Sequence, residues 1–174
     1  MSKSLGRFLL VEQGLVAAFF NALINGVIAW WLNRGLQELP FWGAQSVVAD
    51  FLATAFLMPL IICLIVSPLV ARQVGRGQLA ALDSARSSAA RLYSRFMLVR
   101  GLFAGLLGVV VTLPVLLLWS WQGPMMVTLN EFVGIKAVFT GVLGGLITPL
   151  IAWWALVDAS RSSLLLKEVQ RGNS

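Results

Sequence analysis

Four long runs of apolar residues alternate with short polar stretches along the chain. The runs cover approximately residues 9–32, 47–70, 98–121 and 132–157. Because an α-helix rises about 1.5 Å per residue, about 20 apolar residues are enough to cross the roughly 30 Å of hydrocarbon in a bilayer. Each run reaches this length, so the pattern predicts four transmembrane helices.

The stretch between the second and third runs has a different pattern. In residues 78–97, positions such as Leu79, Leu82 and Tyr93 share one face of a helical wheel, and serine and arginine occupy the opposite face. This predicts an amphipathic helix in the cytoplasmic interface, where it meets anionic lipids. It is either a connector that anchors the helices or a docking surface for a membrane-protein partner. The basic residues assigned to this interface are Arg72, Arg76, Arg86, Arg91 and Arg95.

The composition agrees with a bilayer as the solvent. Hydrophobic residues make up 59% of the chain and charged residues 11%, whereas charged residues are roughly a quarter of an ordinary soluble domain. Little sequence lies outside the four runs, so we expect one all-α membrane domain over residues 1–174. The first run resembles a signal peptide because Lys3 and Arg7 precede it, but it is too long and lacks a small-residue cleavage site. We therefore expect it to be retained.

The distribution of positive charge predicts the topology. Of the 13 lysines and arginines, two lie before the first run, five between the second and third runs, one (Arg100) at the start of the third run and three after the fourth. By the positive-inside rule both termini and the central loop are cytoplasmic, and a bacterial inner membrane is the expected location. Topology explains the net charge of +6, so nucleic acid is not expected as a partner.

The side chains needed for most catalytic and metal sites are scarce. The chain has no histidine and one cysteine, Cys63, which lies in the middle of the second run. A histidine-based metal site and a histidine general base are therefore excluded, and no nucleophile–base pair is evident. We expect no catalytic residue, no metal and no cofactor, and hence a protein that is not an enzyme.

Two charged residues of opposite sign lie well inside the outer ends of the apolar runs. Asp50 is near the start of the second run and Lys136 near the start of the fourth, and both runs begin at the outer side. An unpaired charge at the bilayer centre costs about 2.5–3.5 kcal/mol on insertion scales, so such residues usually have a partner or a task. The matching depth and opposite sign predict an Asp50–Lys136 ion pair between the second and fourth helices.

Further polar residues lie at nearby depths. One turn after each charge is a threonine, Thr54 or Thr140, and the first run carries Asn21 and Asn25 on one face. Polar groups in hydrocarbon find their partners on neighbouring helices. The predicted cluster comprises Asn21, Asn25, Asp50, Thr54, Lys136 and Thr140. It either holds the helices in register or forms a binding site or solute path.

Charges near the inner ends of the runs are interpreted differently. We expect Glu12 to reach the cytoplasmic interface or to pair with Arg7 or Arg100. Asp158 and Arg161 are expected to be ordinary interface charges, because long side chains near helix ends extend to the headgroups.

The two halves of the chain resemble each other weakly. The segment "QGLVAAFF" beginning at Gln13 resembles "RGLFAGLL" beginning at Arg100, and "MPLI" around Pro59 resembles "TPLI" around Pro149. Both copies would begin on the inner side, so the pattern indicates a duplicated helical hairpin in parallel orientation.

The segments "VEQGLVAAFFNALINGVIAWW", "VVADFLATAFLMPLIICLIVSPLV" and "KAVFTGVLGGLITPLIAWWALVD" resemble a group of small four-helix bacterial membrane proteins that are sometimes labelled permeases and have no defined activity. The resemblance implies a multi-pass inner-membrane protein, and we expect a small permease-like or transporter-like subunit. Four short helices enclose little volume, so a solute path would require a homo-oligomer. The alternative is a non-catalytic scaffold or accessory subunit of a larger membrane complex.

Overall fold

The computed structural model describes residues 4–80, 82, 97–123 and 125–172. Within these ranges it contains four helices that are long and apolar enough to cross a membrane. These helices are α1 (Leu5–Asn33), α2 (Val47–Gly75), α3 (Met97–Gln122) and α4 (Leu129–Gly172). The predicted four-helix class is confirmed, with each helix longer than its apolar run. Almost all of the amphipathic helix predicted at 78–97 lies outside the described residues.

The ends of the helices are called inner and outer after the topology expected from the sequence, with the start of α1 at the inner end. The inner half of α1 is wound more loosely than the rest. Residues Phe8–Leu15 form a π-helix between two α-helical stretches, Leu5–Arg7 and Val16–Asn33. π-Helical hydrogen bonds join residues five apart and are rare, and they often occur at functional sites. The sequence analysis did not predict this segment.

Two short strands join the two helical hairpins, α1–α2 and α3–α4, at the outer end. β1 (Glu38–Pro40) follows α1 and β2 (Met126–Thr128) follows α3, and the two strands pair antiparallel. Leu39 lies opposite Val127, and both side chains are buried. Apolar side chains from the loops and the helix ends pack together here, so the outer end of the molecule has an apolar core. The members of this cluster include Phe41, Val47, Phe51, Val127 and Phe132.

The helices pack in an open row rather than in a closed bundle. The principal contacts are α1 with α4, α4 with α2, and α2 with α3. α1 and α3 therefore occupy the two edges of the row. In the apolar part of α1, 11% of the residues are buried inside the chain, against 39% for α2 and for α4. The exposed apolar surface of α1 is left for lipid or for another subunit.

The contact pattern is symmetric with respect to the two halves of the chain. If α1 is exchanged for α3 and α2 for α4, the same pairs of helices are in contact. Gly14 on α1 packs against Pro149 on α4, where an added Cβ would lie 3.7 Å from the proline Cγ. Gly101 on α3 packs against Leu60 on α2, where an added Cβ would lie 3.2 Å from the leucine Cα. Gly14 matches Gly101 in the sequence repeat, and Pro149 matches Pro59, the neighbour of Leu60. These are the contacts that a duplicated hairpin would make.

Glycines permit the closest helix contact. An added Cβ on Gly105 of α3 would lie 2.6 Å from the carbonyl oxygen of Phe56, and one on Gly108 would collide with the carbonyl oxygen of Ala55. Small residues allow helix backbones to approach where lipid supplies no hydrophobic drive for association. α2 and α3 are therefore in direct backbone contact.

The inner end has its own apolar core. Phe8 from the π-helical segment is fully buried and packs with Val70 of α2 and Leu156 of α4. Leu79, just beyond α2, joins the same cluster, and the backbone N–H of Leu82 donates to the Ser160 hydroxyl at 3.0 Å. The chain after α2 thus turns back onto the inner end of α4.

Candidate functional site

The structure brings Asp50 and Lys136 together. α2 begins after Ser46, whose hydroxyl accepts a hydrogen bond from the N–H of Ala49 at 3.2 Å, and Asp50 lies in the first turn. A carboxylate in the first turn is favoured by the helix dipole. Lys136 lies two turns into α4, and its Nζ donates to Asp50 Oδ2. The ion pair connects the outer ends of the two central helices.

Within the part of the chain that the structure describes, the ammonium group of Lys136 is held by residues of α2. Its Nζ donates to the Asp50 backbone carbonyl at 3.3 Å and to the Thr54 hydroxyl, as well as to the Asp50 carboxylate. The ring of Phe51 lies beneath the ammonium, 5.1 Å from Nζ to the ring centroid. An ammonium has three protons, so these acceptors satisfy the buried charge.

The two partners differ in their access to the surroundings. The Lys136 side chain is 4% exposed, whereas that of Asp50 is 44% exposed. The cation is therefore sealed inside the protein, and the anion remains open at the end of the helix.

The two threonines have different partners. The Thr54 hydroxyl donates to the Asp50 backbone carbonyl at 2.8 Å while it accepts from Lys136, so it belongs to the ion pair. Thr140 is fully buried, and its hydroxyl lies 2.9 Å from the Lys136 carbonyl and 3.2 Å from the Asn21 carbonyl. Thr140 therefore connects α4 to α1.

The predicted polar cluster is divided into two groups. The Asn21 amide donates to Ala17 O at 2.8 Å, and the Asn25 amide donates to Asn21 O at 3.0 Å, so both bond their own helix. Asn21 lies against Gly144, where an added Cβ would be 2.5 Å from its Nδ2. Asp50, Thr54 and Lys136 form one group, and Asn21, Asn25 and Thr140 form a second group at the α1–α4 contact.

A second ion pair lies at the inner end, and the sequence analysis missed it. Arg100 of α3 donates from an Nη to Asp158 Oδ2 of α4 at 2.7 Å, and the arginine side chain is 7% exposed. The expectation that Asp158 is an ordinary interface charge is wrong, because it neutralises a buried guanidinium. Arg100 and Asp158 have opposite charges and lie at similar depth in the sequence pattern. The same two properties predicted the Asp50–Lys136 pair and could have predicted this one.

The two ion pairs lie at opposite ends of α4. Lys136 and Asp158 are 22 residues apart in the sequence, which is about 33 Å along a helix and close to the thickness of the hydrocarbon layer. Each pair joins α4 to a different helix: to its neighbour α2 at the outer end, and at the inner end to α3, which the Arg100 side chain connects to α4 across the row.

The interface residues are only partly described. Arg72 and Arg76 lie at the inner end of α2 and are exposed, as a position among lipid headgroups requires. The other three predicted interface arginines, Arg86, Arg91 and Arg95, lie outside the described residues.

Among residues 4–80, 97–123 and 125–172, no group of three histidine, cysteine or acidic side chains is placed to hold a metal ion. An open apolar groove lies between α1 and α4. Its lining residues are Phe19, Ala22, Leu23, Gly26, Val27 and Ala137.

Comparison with known proteins identifies no relative. No protein-family model matches the chain, and no curated protein or solved structure matches it significantly. Four apolar helices define the chain as a candidate multi-pass membrane protein, and any more specific function has to be inferred from the arrangement of its residues.

Proposed function

We propose that this chain is a small permease-like subunit of a bacterial inner membrane, with its outer polar group as the point of solute contact. The observation that carries the proposal is the unequal exposure of the ion pair, 44% for Asp50 and 4% for Lys136. A pair that only joined two helices would need no accessible charge. An accessible carboxylate can contact a cationic group of a solute through its exposed side while its Oδ2 stays bonded to Lys136.

The proposed orientation places both termini in the cytoplasm. Arg72 and Arg76 at the inner end of α2 are exposed. The sequence pattern assigns most other basic residues to the same side of the membrane. Anionic lipids attract such residues by about 1 kcal/mol each near the surface. In a variant whose Cys63 is replaced by alanine, a cysteine at Glu38 should react with an impermeant maleimide from outside, and a cysteine at Arg76 should not.

The open row of helices supports a homo-oligomeric permease. One chain does not wrap its helices around a path, because α1 and α3 lie at opposite edges. α1 has the least buried apolar stretch, 11% within the chain, and it borders the second polar group. A solute path would then run between copies, along surfaces that include Asp50.

Osmotic swelling of vesicles tests the permease proposal. The full chain is reconstituted in phosphatidylethanolamine and phosphatidylglycerol vesicles and diluted into isosmotic choline, guanidinium or glycerol solutions. We expect faster swelling than in empty vesicles for at least one cation, and loss of that increase in Asp50→Asn. Glu131→Gln is the matched control, since Glu131 is an exposed carboxylate near the same end of α4. Swelling equal to that of empty vesicles, or unchanged by Asp50→Asn, contradicts the proposal.

The alternative function is a scaffold or accessory subunit of a larger membrane complex. It is favoured by the internal pairing of the polar groups: Lys136 bonds only α2 in the contacts described above, and both asparagine amides bond α1. Such bonds hold a subunit together without a ligand. Purification in mild detergent separates the alternatives, because an accessory subunit should retain a different protein in fixed ratio and a permease should be recovered alone or as a homo-oligomer.

A further inference from the structure

The apolar groove between α1 and α4 is a product of close packing by small residues. An added Cβ on Gly26 would lie 3.3 Å from the Ala137 Cβ, and one on Gly141 would lie 3.2 Å from the Ala22 Cβ. Small residues at the crossing leave an open space beside the larger side chains of α1, which are exposed. These larger side chains are Phe19, Leu23 and Val27. The packing of the two helices therefore forms the groove.

The groove has the size and the chemistry of a hydrocarbon chain. Its volume is about 350 Å³, and every lining residue is apolar. An apolar cavity of about 150 Å³ binds benzene with its six carbon atoms, so by the same ratio the groove accommodates about 14 carbon atoms. From Phe19 to Val27 it extends about 12 Å along the helix. This is most of the roughly 15 Å of hydrocarbon in one leaflet.

The face of α1 that lines the groove continues to a tryptophan and an arginine at the outer end. With about 3.6 residues per turn, Trp30 and Arg34 lie on the same stripe as Leu23 and Val27. The backbone stays helical through Arg34, whose φ and ψ are −58° and −15°. Both side chains are exposed. Tryptophan and arginine commonly lie at the level of the lipid headgroups, and Arg34 is about 10 Å above Val27 along the helix.

The charge of Arg34 is available to an anion. Within the described residues Arg34 makes no ion pair, although Glu38 follows it four residues later. The carboxylate of Glu131, at the start of α4, accepts hydrogen bonds from the Thr128 N–H at 3.1 Å and from the Thr128 hydroxyl at 2.8 Å. Lys136 is buried and paired with Asp50. Arg34 is therefore the exposed cation at the outer end of the described chain.

We propose that this groove binds one anionic phospholipid, with an acyl chain along Phe19, Leu23 and Val27 and the phosphate at Arg34. A guanidinium binds a phosphate through two parallel hydrogen bonds. Basic residues beside the clefts between transmembrane helices bind lipid headgroups in this way. This inference goes beyond the proposed function and does not rest on it, because a lipid can bind here whether or not a solute is transported.

The charge pattern favours a lipid over a second copy of the chain at this face. Two identical copies in one membrane are related by an axis along the membrane normal. If they met through this face of α1, the two Arg34 side chains would lie at the same depth and repel each other. A phosphate neutralises the same charge. The lipid covers only the face of α1 next to α4, so other faces remain available to the proposed homo-oligomer.

Native mass spectrometry of the full chain in mild detergent tests the site, because it reports lipid binding and oligomeric state together. Phosphatidylglycerol and phosphatidylethanolamine with identical acyl chains are titrated separately. We expect the first phosphatidylglycerol to bind about fivefold more tightly, since one basic residue near the headgroups contributes about 1 kcal/mol. Arg34→Gln should remove this preference. The control Arg76→Gln, at an exposed arginine of the inner end, should keep it.

A second variant fills the groove. Ala137→Leu should weaken the binding of both lipids, and Ala53→Leu, at an exposed alanine of α2, is the matched control that should not. Retention of the full preference in Arg34→Gln, or its loss in Arg76→Gln, overturns the proposal. Unchanged lipid binding in Ala137→Leu also overturns it, and if that variant turns an oligomer into a monomer, a second copy occupies the groove. Arg34 is exposed, so Arg34→Gln decides the matter even where Ala137→Leu does not fold.

Discussion

Asp50 and Lys136 form an ion pair in which the lysine is buried and the aspartate remains 44% exposed. The pair joins the two central helices of an open row, and every acceptor of the lysine described above belongs to α2. Loss of Asp50 and loss of Lys136 should therefore lower the free energy of unfolding by different amounts.

Asp50→Asn should destabilise the protein more than Lys136→Met. The first change leaves a buried ammonium without its counter-ion, and breaking a buried pair in this way costs about 3–5 kcal/mol. The second leaves a carboxylate that is already partly in contact with solvent. Unfolding free energies of the single and double variants in detergent give the coupling, which we expect to exceed about 0.5 kcal/mol. Additive effects of the two changes would be inconsistent with an energetic contribution from the pair.

Gly105→Ala should weaken the packing of α3 against α2. The new methyl group would lie 2.6 Å from the Phe56 carbonyl oxygen, which belongs to a helix backbone and cannot turn aside. Overpacking of this kind costs about 1–3 kcal/mol. Gly134→Ala is the control, because nothing lies within 4 Å of its added Cβ, and alanine in an exposed helix position is favoured by up to about 1 kcal/mol. Equal Tm values for the two variants would contradict the described contact.

Asp158→Asn should lower stability although Asp158 lies near the inner end of α4. The change removes the carboxylate that neutralises Arg100, whose side chain is 7% exposed and whose Nε is buried without a hydrogen-bond partner within the described ranges. We expect a loss of about 2 kcal/mol or more, because a buried charge is left uncompensated. Arg76→Gln, at an exposed arginine of the same end, should change the unfolding free energy by less than about 0.5 kcal/mol. A larger loss of unfolding free energy in Arg76→Gln than in Asp158→Asn would indicate that Arg100 reaches solvent.

Cysteines at Glu38 and Thr128 should form a disulfide between the hairpins. These residues are directly opposite in the antiparallel pairing of β1 and β2, and such positions have the Cα separation that a disulfide requires. With Cys63 replaced by alanine and a protease site placed in the 83–96 segment, oxidation should keep the two fragments together on a non-reducing gel. Either single cysteine variant should release them, and release from the double variant would contradict the strand pairing.

The depth of each polar residue could be read from the sequence. The thickness of the bilayer sets the length of an apolar run, so the four spans and the similar depth of Asp50 and Lys136 follow from counting residues. The ion pair between them is present in the structure. The same counting places Arg100 and Asp158 at one level on the predicted cytoplasmic side, where charged side chains need no partner within the protein. Their pairing was therefore not predicted.

The lateral arrangement was decided by tertiary structure alone. The row order of the helices, the strand pair and the division of the polar cluster do not follow from depth. Asn21 and Asn25 share a face with suitable spacing, yet their amides bond the carbonyls of their own helix. In a bilayer the lipid-facing and helix-facing sides of a segment are both apolar, so hydrophobic periodicity does not identify which faces meet. Close backbone contacts such as those of Gly14 and Gly105 make that selection, and they exist only once the helices are packed.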